Sequence, residues 1–194
     1  EYFDSHCHLT DAAFRDDREA VFRRAHEAGV TRLVSIASNL EDARAALRLA
    51  QERPNDGPAV WSTAGVHPHA VGEADPGDLA EIRALAGEHA EVVAIGETGL
   101  DYFYDNSPRD QQQESFRRHI RASNETGTPF VVHTRNADAD TITILKEEAS
   151  GEGLKGDLHC FSSGRDVADK ALELGMYVSL AGILTFKNAK DVQD

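Results

Sequence analysis

The sequence predicts an α/β fold of the (β/α)8 TIM-type barrel class, and three features of the chain support this prediction. Short apolar segments alternate with amphipathic helical segments along the 194 residues, as in repeated βα units. The predicted strand ends lie 22 to 36 residues apart, about the length of one such unit. Candidate metal ligands follow several of these strands, and strands closed into a ring bring such residues to one mouth. A doubly wound sheet, the other fold built from βα units, does not.

The first half of the chain contains four predicted strands and three predicted helices. The strands end, in chain order, at His8, Ala37, His67 and Glu97. Apolar residues at helical spacing predict helices over residues 17–28, from residue 40 to Pro54, and over residues 78–89. Gly29 ends the first helix, Asn39 caps the second, and Pro54 ends it.

The second half contains three further strands, which end at His133, His159 and Ala181. A loop over residues 98–106 precedes a helix that begins at Ser107 and Pro108 and ends at Gly127. Two more helices are predicted, over residues 138–149 and 167–174. Barrels of this class typically need about 250 residues, so the barrel is expected to be truncated after strand seven, without strand eight and its flanking helices. Residues 1–194 are predicted to form a single catalytic barrel domain.

The composition is acidic, with 34 Asp and Glu against 20 Lys and Arg and a formal net charge of -14. A protein that binds long nucleic acid non-specifically carries a broad basic surface, so that class is excluded. The chain has no apolar run that could span a membrane and no export signal, so no membrane partner is expected. Two cysteines without a Cys-x-x-Cys motif favour a reducing, cytoplasmic location. The sequence does not indicate an oligomeric state.

The first strand carries a candidate metal site at His6 and His8. Side chains two apart on a strand point to the same face, so both imidazoles face one point, whereas Cys7 points away as a buried thiol. A single His-x-His pair is a modest signal because most histidines are solvated or hydrogen-bonded. Glu97, His133 and His159, which also end strands, strengthen the prediction of one metal cluster.

Three residues near this mouth have predicted roles in chemistry or substrate binding. Glycines flank Glu97, which leaves its carboxylate free to bridge two metal ions and makes it the candidate catalytic residue. His67 stands at the end of strand three. Because Pro68 interrupts the regular alternation there, His67 is predicted to contact the substrate rather than a metal ion. Arg135 follows strand five, where it could either bind a phosphate oxygen or form a plain salt bridge.

Five motifs in order along the chain resemble those of the TatD family of metal-dependent deoxyribonucleases, a branch of the amidohydrolase barrels. They are Asp4-Ser5-His6-Cys7-His8-Leu9, Gly65-Val66-His67-Pro68-His69, Ile95-Gly96-Glu97-Thr98-Gly99-Leu100-Asp101-Tyr102, Val132-His133-Thr134-Arg135 and His159-Cys160-Phe161-Ser162.

The resemblance implies a metal-dependent hydrolase that cleaves phosphodiester bonds of DNA, commonly from the 3′ end, by a water that two divalent ions (Mg, Mn or Zn) activate. It implies that His6 and His8 bind one ion, that His133 and His159 bind the other, and that Glu97 bridges them. An aspartate of strand eight, which is also the family's expected general base, is absent from these residues. The chain ends at Asp194, and Asp191 and Asp194 follow a helical start, so neither is expected to replace it.

A pit at a barrel mouth favours single-stranded DNA or frayed ends, on which Tyr102 and Phe103 could stack a base. Two alternatives stay open, because fold alone does not fix the reaction. One is a hydrolase of another ester or amide, such as D-aminoacyl-tRNA. The other is a fragment that binds metal without activity.

Overall fold

A computed structural model of the protein describes residues 1–52, 57–149, 151 and 153–193. In this part of the chain seven strands alternate with seven α-helices. The strands are β1 (Tyr2–Cys7), β2 (Val30–Ser35), β3 (Ala59–Ala64), β4 (Val92–Asp101), β5 (Phe130–Arg135), β6 (Gly156–Leu158) and β7 (Tyr177–Val178). The helices are α1 (Arg18–Glu27), α2 (Leu40–Gln51), α3 (Asp78–Glu88), α4 (Arg109–Thr126), α5 (Asp138–Glu148), α6 (Arg165–Glu173) and α7 (Lys190–Gln193).

The strands form one parallel sheet in the sequential order β1 to β7, and the sheet is strongly curled. In a flat sheet β1 and β6 would lie roughly 24 Å apart, since neighbouring strands are about 4.8 Å apart. Instead, the rings of His6 and His159, at the ends of these two strands, stack with 3.2 Å between their centroids. Sequential parallel order and this curvature are those of a (β/α)8 TIM-type barrel, and the predicted fold class is confirmed for the seven strands.

The main hydrophobic core lies between this sheet and helices α2 to α6. Phe116 and Ile120, one turn apart on α4, are fully buried, and each contributes roughly 1.5–3 kcal/mol to stability. On β5 alternate residues divide between the two faces of the sheet. Phe130 and Val132 join the core, whereas His133 points to the opposite face, inside the barrel. On β5 the alternation therefore separates core residues from a candidate site residue.

A second, smaller core lies beside β1 and contains Leu9, Phe22, Leu33, Ala50 and Val60. Cys7 packs against this core, and its thiol donates a hydrogen bond to the carbonyl of Val34. Burial raises the pKa of the Cys7 thiol to about 12. The thiol thus points away from the mouth, as the alternation of the strand predicted.

Most predicted ends of helices and strands agree with the structure within a few residues, including the Asn39 cap of α2 and the left-handed Gly127 after α4. The predicted end of the second helix at Pro54 lies outside the described residues. Among the helices of the described residues, none combines the length and the apolar character that a membrane crossing requires.

The largest difference from the prediction is the length of β4. A loop was predicted over residues 98–106, but β4 continues to Asp101 by pairing with β5 as far as Arg135. Gly99 makes this close pairing possible: its φ is +129°, and a Cβ there would lie 2.0 Å from the carbonyl oxygen of His133. The prediction was wrong because the pairing depends on a neighbouring strand and not on local sequence. One consequence is that Asp101 is fully buried at the mouth.

Candidate metal centre

Glu97 occupies the centre of a group of histidines at the mouth of the barrel. Only 4% of Glu97 is exposed, although carboxylates are rarely buried without a partner. Its Oε2 lies 3.4 Å from Nε2 of His6, and its Oε1 lies 3.4 Å from Nδ1 of His133. The two oxygens of one carboxylate therefore face histidines from two different strands, β1 and β5.

Two groups of three side chains bring their nitrogen and oxygen atoms within 4.8 Å of one another, and Glu97 belongs to both groups. The first group contains His6, Glu97 and His159, and the second contains His67, Glu97 and His133. The family resemblance implied that His159 binds an ion together with His133. In the structure the ring of His159 stacks on that of His6, and the assignment of His159 to one ion or the other stays a prediction.

The chemistry and spacing of these atoms fit divalent metal ions. Imidazole nitrogen and carboxylate oxygen are ligands of Zn²⁺ and Mn²⁺, and carboxylates also suit Mg²⁺. A tetrahedral ion with bonds of about 2.0–2.1 Å separates its ligand atoms by roughly 3.4 Å. The Glu97 oxygens lie 3.4 Å from the nitrogens of His6 and of His133, which is that separation and is too long for a strong hydrogen bond.

His8 lies at the same mouth but belongs to neither close group. The strand β1 ends at Cys7, and its pairing with β2 is irregular between Asp4 and Cys7, so simple alternation does not extend to His8. The ring centroids of His6 and His8 are 5.1 Å apart, and His8 is exposed and lines the cavity that also holds Glu97. His8 as a ligand stays a prediction.

Asp101 orients His133 from the side opposite Glu97. The Oδ2 atom of Asp101 accepts hydrogen bonds from Nε2 of His133 at 3.0 Å and from Nε2 of His69 at 2.9 Å. With Nε2–H directed to Asp101, Nδ1 is the nitrogen of His133 that faces Glu97 and that would bind an ion after losing any proton; burial lowers the pKa of His133, but Glu97 and Asp101 outweigh burial and raise it. A carboxylate that fixes the tautomer of a ligand histidine in this way is a recurrent feature of metal sites.

The electrostatics of the centre keep both carboxylates ionised. Burial alone would raise the pKa of Glu97, but the contacts with His133 and His6 outweigh it and hold that pKa well below its usual value. For Asp101, burial is likewise outweighed by hydrogen bonds from the Tyr104 backbone and the histidines, and its pKa falls to about 2. Both carboxylates are therefore ionised near pH 7, and together they outweigh burial and raise the pKa of His133, which lies between them.

His67 has one ring nitrogen already engaged. Its Nδ1 accepts a hydrogen bond from the backbone N–H of His69 at 3.2 Å, so the proton of the neutral ring is on Nε2. Burial lowers the pKa of His67 to about 4, which keeps the ring neutral near pH 7. His67 can therefore donate one N–H bond into the cavity.

Arg135 forms no ion pair among the described residues. Its guanidinium carbon instead lies over the ring of Phe103, at 4.0 Å from the centroid, and 5.0 Å from that of Tyr104. Of the two open predictions for Arg135, the plain salt bridge is therefore not observed within the described part of the chain. The positive charge stays free at the mouth.

Two residues of this site were missed from the sequence. Asp101 is part of the motif that contains Glu97, but it was assigned to a loop and not to the end of β4, so its role was not predicted. Asp157 lies two residues before His159 on β6, and burial raises its pKa to about 6. The signal for Asp157 was available, because alternation places it on the same face as His159, where both line a cavity of about 650 Å³.

Comparison with known proteins identifies the family. The sequence pattern of the family described as TatD related DNase matches residues 3–194. The chain belongs to the TatD family. It is 41% identical over 194 residues to the uncharacterized metal-dependent hydrolase YcfH of Escherichia coli, covering 98% of this chain and 70% of YcfH. It is 36% identical over 181 residues to the 3′-5′ ssDNA/RNA exonuclease TatD of Musicola paradisiaca, covering 93% of this chain and 66% of that protein.

Solved structures agree with this assignment to the TatD family. The TatD homologue YjjV of Escherichia coli superimposes with a TM-score of 0.85 at 26% identity, covering 95% of this chain and 70% of YjjV. A TatD family hydrolase of Entamoeba histolytica gives a TM-score of 0.80 at 26% identity, covering 93% of this chain and 64% of that protein. The predicted family is confirmed, and the chain is a metal-dependent hydrolase of the TatD family.

Proposed function

We propose that this TatD family protein hydrolyses phosphodiester bonds of DNA with two divalent metal ions, acting on single strands or frayed ends from the 3′ terminus. The single observation that carries the proposal is the placement of Glu97, whose two oxygens face two different histidine groups. A bridging carboxylate of this kind is typical of sites that hold two ions for phosphoryl chemistry. The name of the Musicola paradisiaca relative, a 3′-5′ ssDNA/RNA exonuclease, supports the substrate class.

The proposed ligands are His6 and His8 for one ion and His133 and His159 for the other, with Glu97 shared between them as the catalytic residue. When bound, Mg²⁺, Mn²⁺ or Zn²⁺ ions would stabilise the attacking and leaving oxygens of an in-line displacement. Glu97 stays ionised at the working pH, because its pKa is well below its usual value. It therefore offers both oxygens as acceptors throughout the reaction.

His67 and Arg135 are proposed to bind the substrate. The Nε2–H of His67 is free to donate a hydrogen bond to a phosphate oxygen, because its Nδ1 is engaged by the His69 backbone. The guanidinium of Arg135, which no carboxylate of the described residues neutralises, is available for a second phosphate oxygen. Together they orient a phosphodiester against the ions without a protein nucleophile.

The experiment begins with protein stripped of metal by a chelator and reloaded with one metal at a time. We expect two ions per chain by elemental mass spectrometry, and 3′-to-5′ shortening of a 5′-labelled single strand. A blunt duplex of the same sequence should be shortened more slowly.

Two variants make this experiment specific. Glu97→Gln should lose metal binding and cleavage together, whereas Glu88→Gln, which removes an exposed carboxylate of α3, should lose neither. Metal-loaded protein that leaves every DNA strand intact would refute the proposed reaction. In that case panels of other esters and amides, including D-aminoacyl-tRNA, would be tested next.

A further inference from the structure

Two aromatic side chains stand exposed beside the candidate metal centre. Phe103 and Tyr104, which follow β4, are 53% and 54% exposed. Most other large apolar residues that are exposed in the described chain lie on or after the edge strands β1 and β7. They are Tyr2, Phe3, Tyr177, Leu180 and Phe186, with Leu172 on α6. The exposure of the Phe103 and Tyr104 pair is therefore not explained by the edges of the sheet.

The backbone beneath these two rings is held by a buried carboxylate. Oδ1 of Asp101 accepts hydrogen bonds from the backbone N–H of Phe103 at 3.0 Å and of Tyr104 at 2.9 Å. The other oxygen of the same carboxylate holds His133 and His69. One buried side chain thus fixes the aromatic pair relative to the candidate metal ligand His133.

A positively charged side chain also lies against the aromatic pair. The rings of Phe103 and Tyr104 meet edge to face, with centroids 4.9 Å apart, and the guanidinium of Arg135 lies over both. The ring of Tyr104 contacts that of His69 at 5.3 Å, which places the pair next to the metal centre. We call Phe103, Tyr104 and Arg135 the aromatic platform.

We infer that the aromatic platform binds a nucleobase of the strand whose phosphodiester lies at the metal centre. This inference rests on the proposed function and extends it by naming what holds the neighbouring base. A flat ring surface stacks any base without sequence preference, and a guanidinium favours the attached phosphate. The acidic chain, with a net charge of -14, otherwise offers little attraction to a nucleic acid strand.

Tyr102 does not belong to the platform, although the sequence suggested it together with Phe103. The hydroxyl of Tyr102 donates a hydrogen bond to Asp140 at 2.7 Å and accepts one from Gln113 at 2.8 Å, and the guanidinium of Arg109 lies 4.3 Å from its ring. These contacts fix Tyr102 between helices α4 and α5. Tyr104 takes its place at the surface.

The test compares single strands that carry a normal 3′-terminal nucleotide with strands that carry an abasic 3′-terminal residue. Stacking on aromatic side chains is worth roughly a 5- to 150-fold change in affinity per base. We expect the wild type to show a KM lower by a factor in this range for the normal end. The double variant Phe103→Leu/Tyr104→Leu should lose that preference, so that its KM values for the normal and the abasic strand become equal.

Two controls separate stacking from loss of structure. Phe3→Leu removes an aromatic ring of the same 53% exposure that also lies near a guanidinium, that of Arg32, and it should keep the preference. Tyr104→Phe should also keep it, because the ring remains. Because Phe103 and Tyr104 are exposed, their substitution should leave the fold intact, and thermal melting of each variant checks this directly.

The outcomes distinguish this inference from the proposed function. Equal KM values for the two strands in the wild type, or an unchanged preference in the double variant, would overturn the platform. If the wild type cleaves neither strand, the proposed function fails by itself. Quenching of a 3′-terminal 2-aminopurine by the metal-loaded wild type, absent with the double variant, would then support the platform, and no quenching by the metal-loaded wild type would overturn it.

Discussion

Replacing Asp101 by Asn tests whether one buried carboxylate organises both the metal centre and its surroundings. Asp101 is fully buried and accepts four hydrogen bonds, two at each oxygen. An asparagine keeps an oxygen for the backbone N–H groups of Phe103 and Tyr104. Its amide nitrogen, which is a donor, then faces the Nε2–H donors of His69 and His133, so neither of those hydrogen bonds can form.

The expected size of the effect follows from these contacts. Hydrogen bonds to a charged partner contribute roughly 1.5–3 kcal/mol each, and two of them are lost. His133 can recover one of them by moving its proton to Nδ1, but only as a neutral bond of roughly 0.5–1.5 kcal/mol, so we expect the free energy of unfolding to fall by about 2–5 kcal/mol. The moved proton occupies the nitrogen that faces Glu97, so we also expect metal affinity to fall roughly 10- to 100-fold.

The assay is a competition titration of Zn²⁺ against a chromophoric chelator, combined with urea unfolding of the metal-free protein. Asp105→Asn is the matched control, because Asp105 lies in the loop directly after β4 but is exposed and pairs only with Arg109 among the described residues. It should leave both the free energy of unfolding and the metal affinity unchanged within error, because exposed ion pairs contribute little. Wild-type metal affinity in Asp101→Asn would refute the argument that Asp101 fixes the tautomer of His133.

Three further outcomes are expected from particular residues. Burial lowers the pKa of His119 from 6.5 to about 4, because the folded protein favours the neutral ring. The free energy of unfolding should therefore fall by about 3 kcal/mol as the pH drops from 6.5 towards 4. In urea unfolding at several pH values, His119→Gln should show a shallower pH dependence than the wild type. Gly99→Ala should lower the free energy of unfolding by more than about 3 kcal/mol in the same assay, because the new Cβ would lie 2.0 Å from the carbonyl oxygen of His133. Gly77→Ala is the control and should cause no such loss, because a Cβ there meets no atom within 4 Å. The thiol of Cys7, whose pKa burial raises to about 12, should react with a thiol reagent at pH 8 only after urea unfolding, as peptide mass spectrometry would detect.

The residues that end strands were predictable because alternation and strand order are local properties of the sequence. His133 and His159 each follow a short apolar run, and period-two alternation turns them away from the core. The requirement that they meet Glu97 then favoured a closed, curled sheet over a flat one. The sequence therefore carried enough information to select the barrel from the two folds that βα units can build.

The contacts around Asp101 were not predictable, since they arise from pairing between distant segments. The extension of β4 depends on the fit of Gly99 against β5, and only this extension buries Asp101 beside His133. The grouping of His159 with His6 likewise depends on the curvature of the whole sheet. Local patterns identify which residues face the mouth, but tertiary packing decides which of them touch.

The balance of charge at the mouth links metal binding to substrate binding. Glu97 and Asp101 are both ionised, and burial keeps His67 and His159 neutral near pH 7 by lowering their pKa values to about 4. The two carboxylates raise the pKa of His133 against the effect of burial, but His133 is engaged by both of them, so the described site offers a phosphodiester little positive charge besides Arg135 when no ion is bound. Divalent ions reverse the sign of the local charge, and binding free energies are reciprocal. The ions that the proposed reaction needs therefore also make the strand bind, and the strand should in turn tighten the binding of the ions.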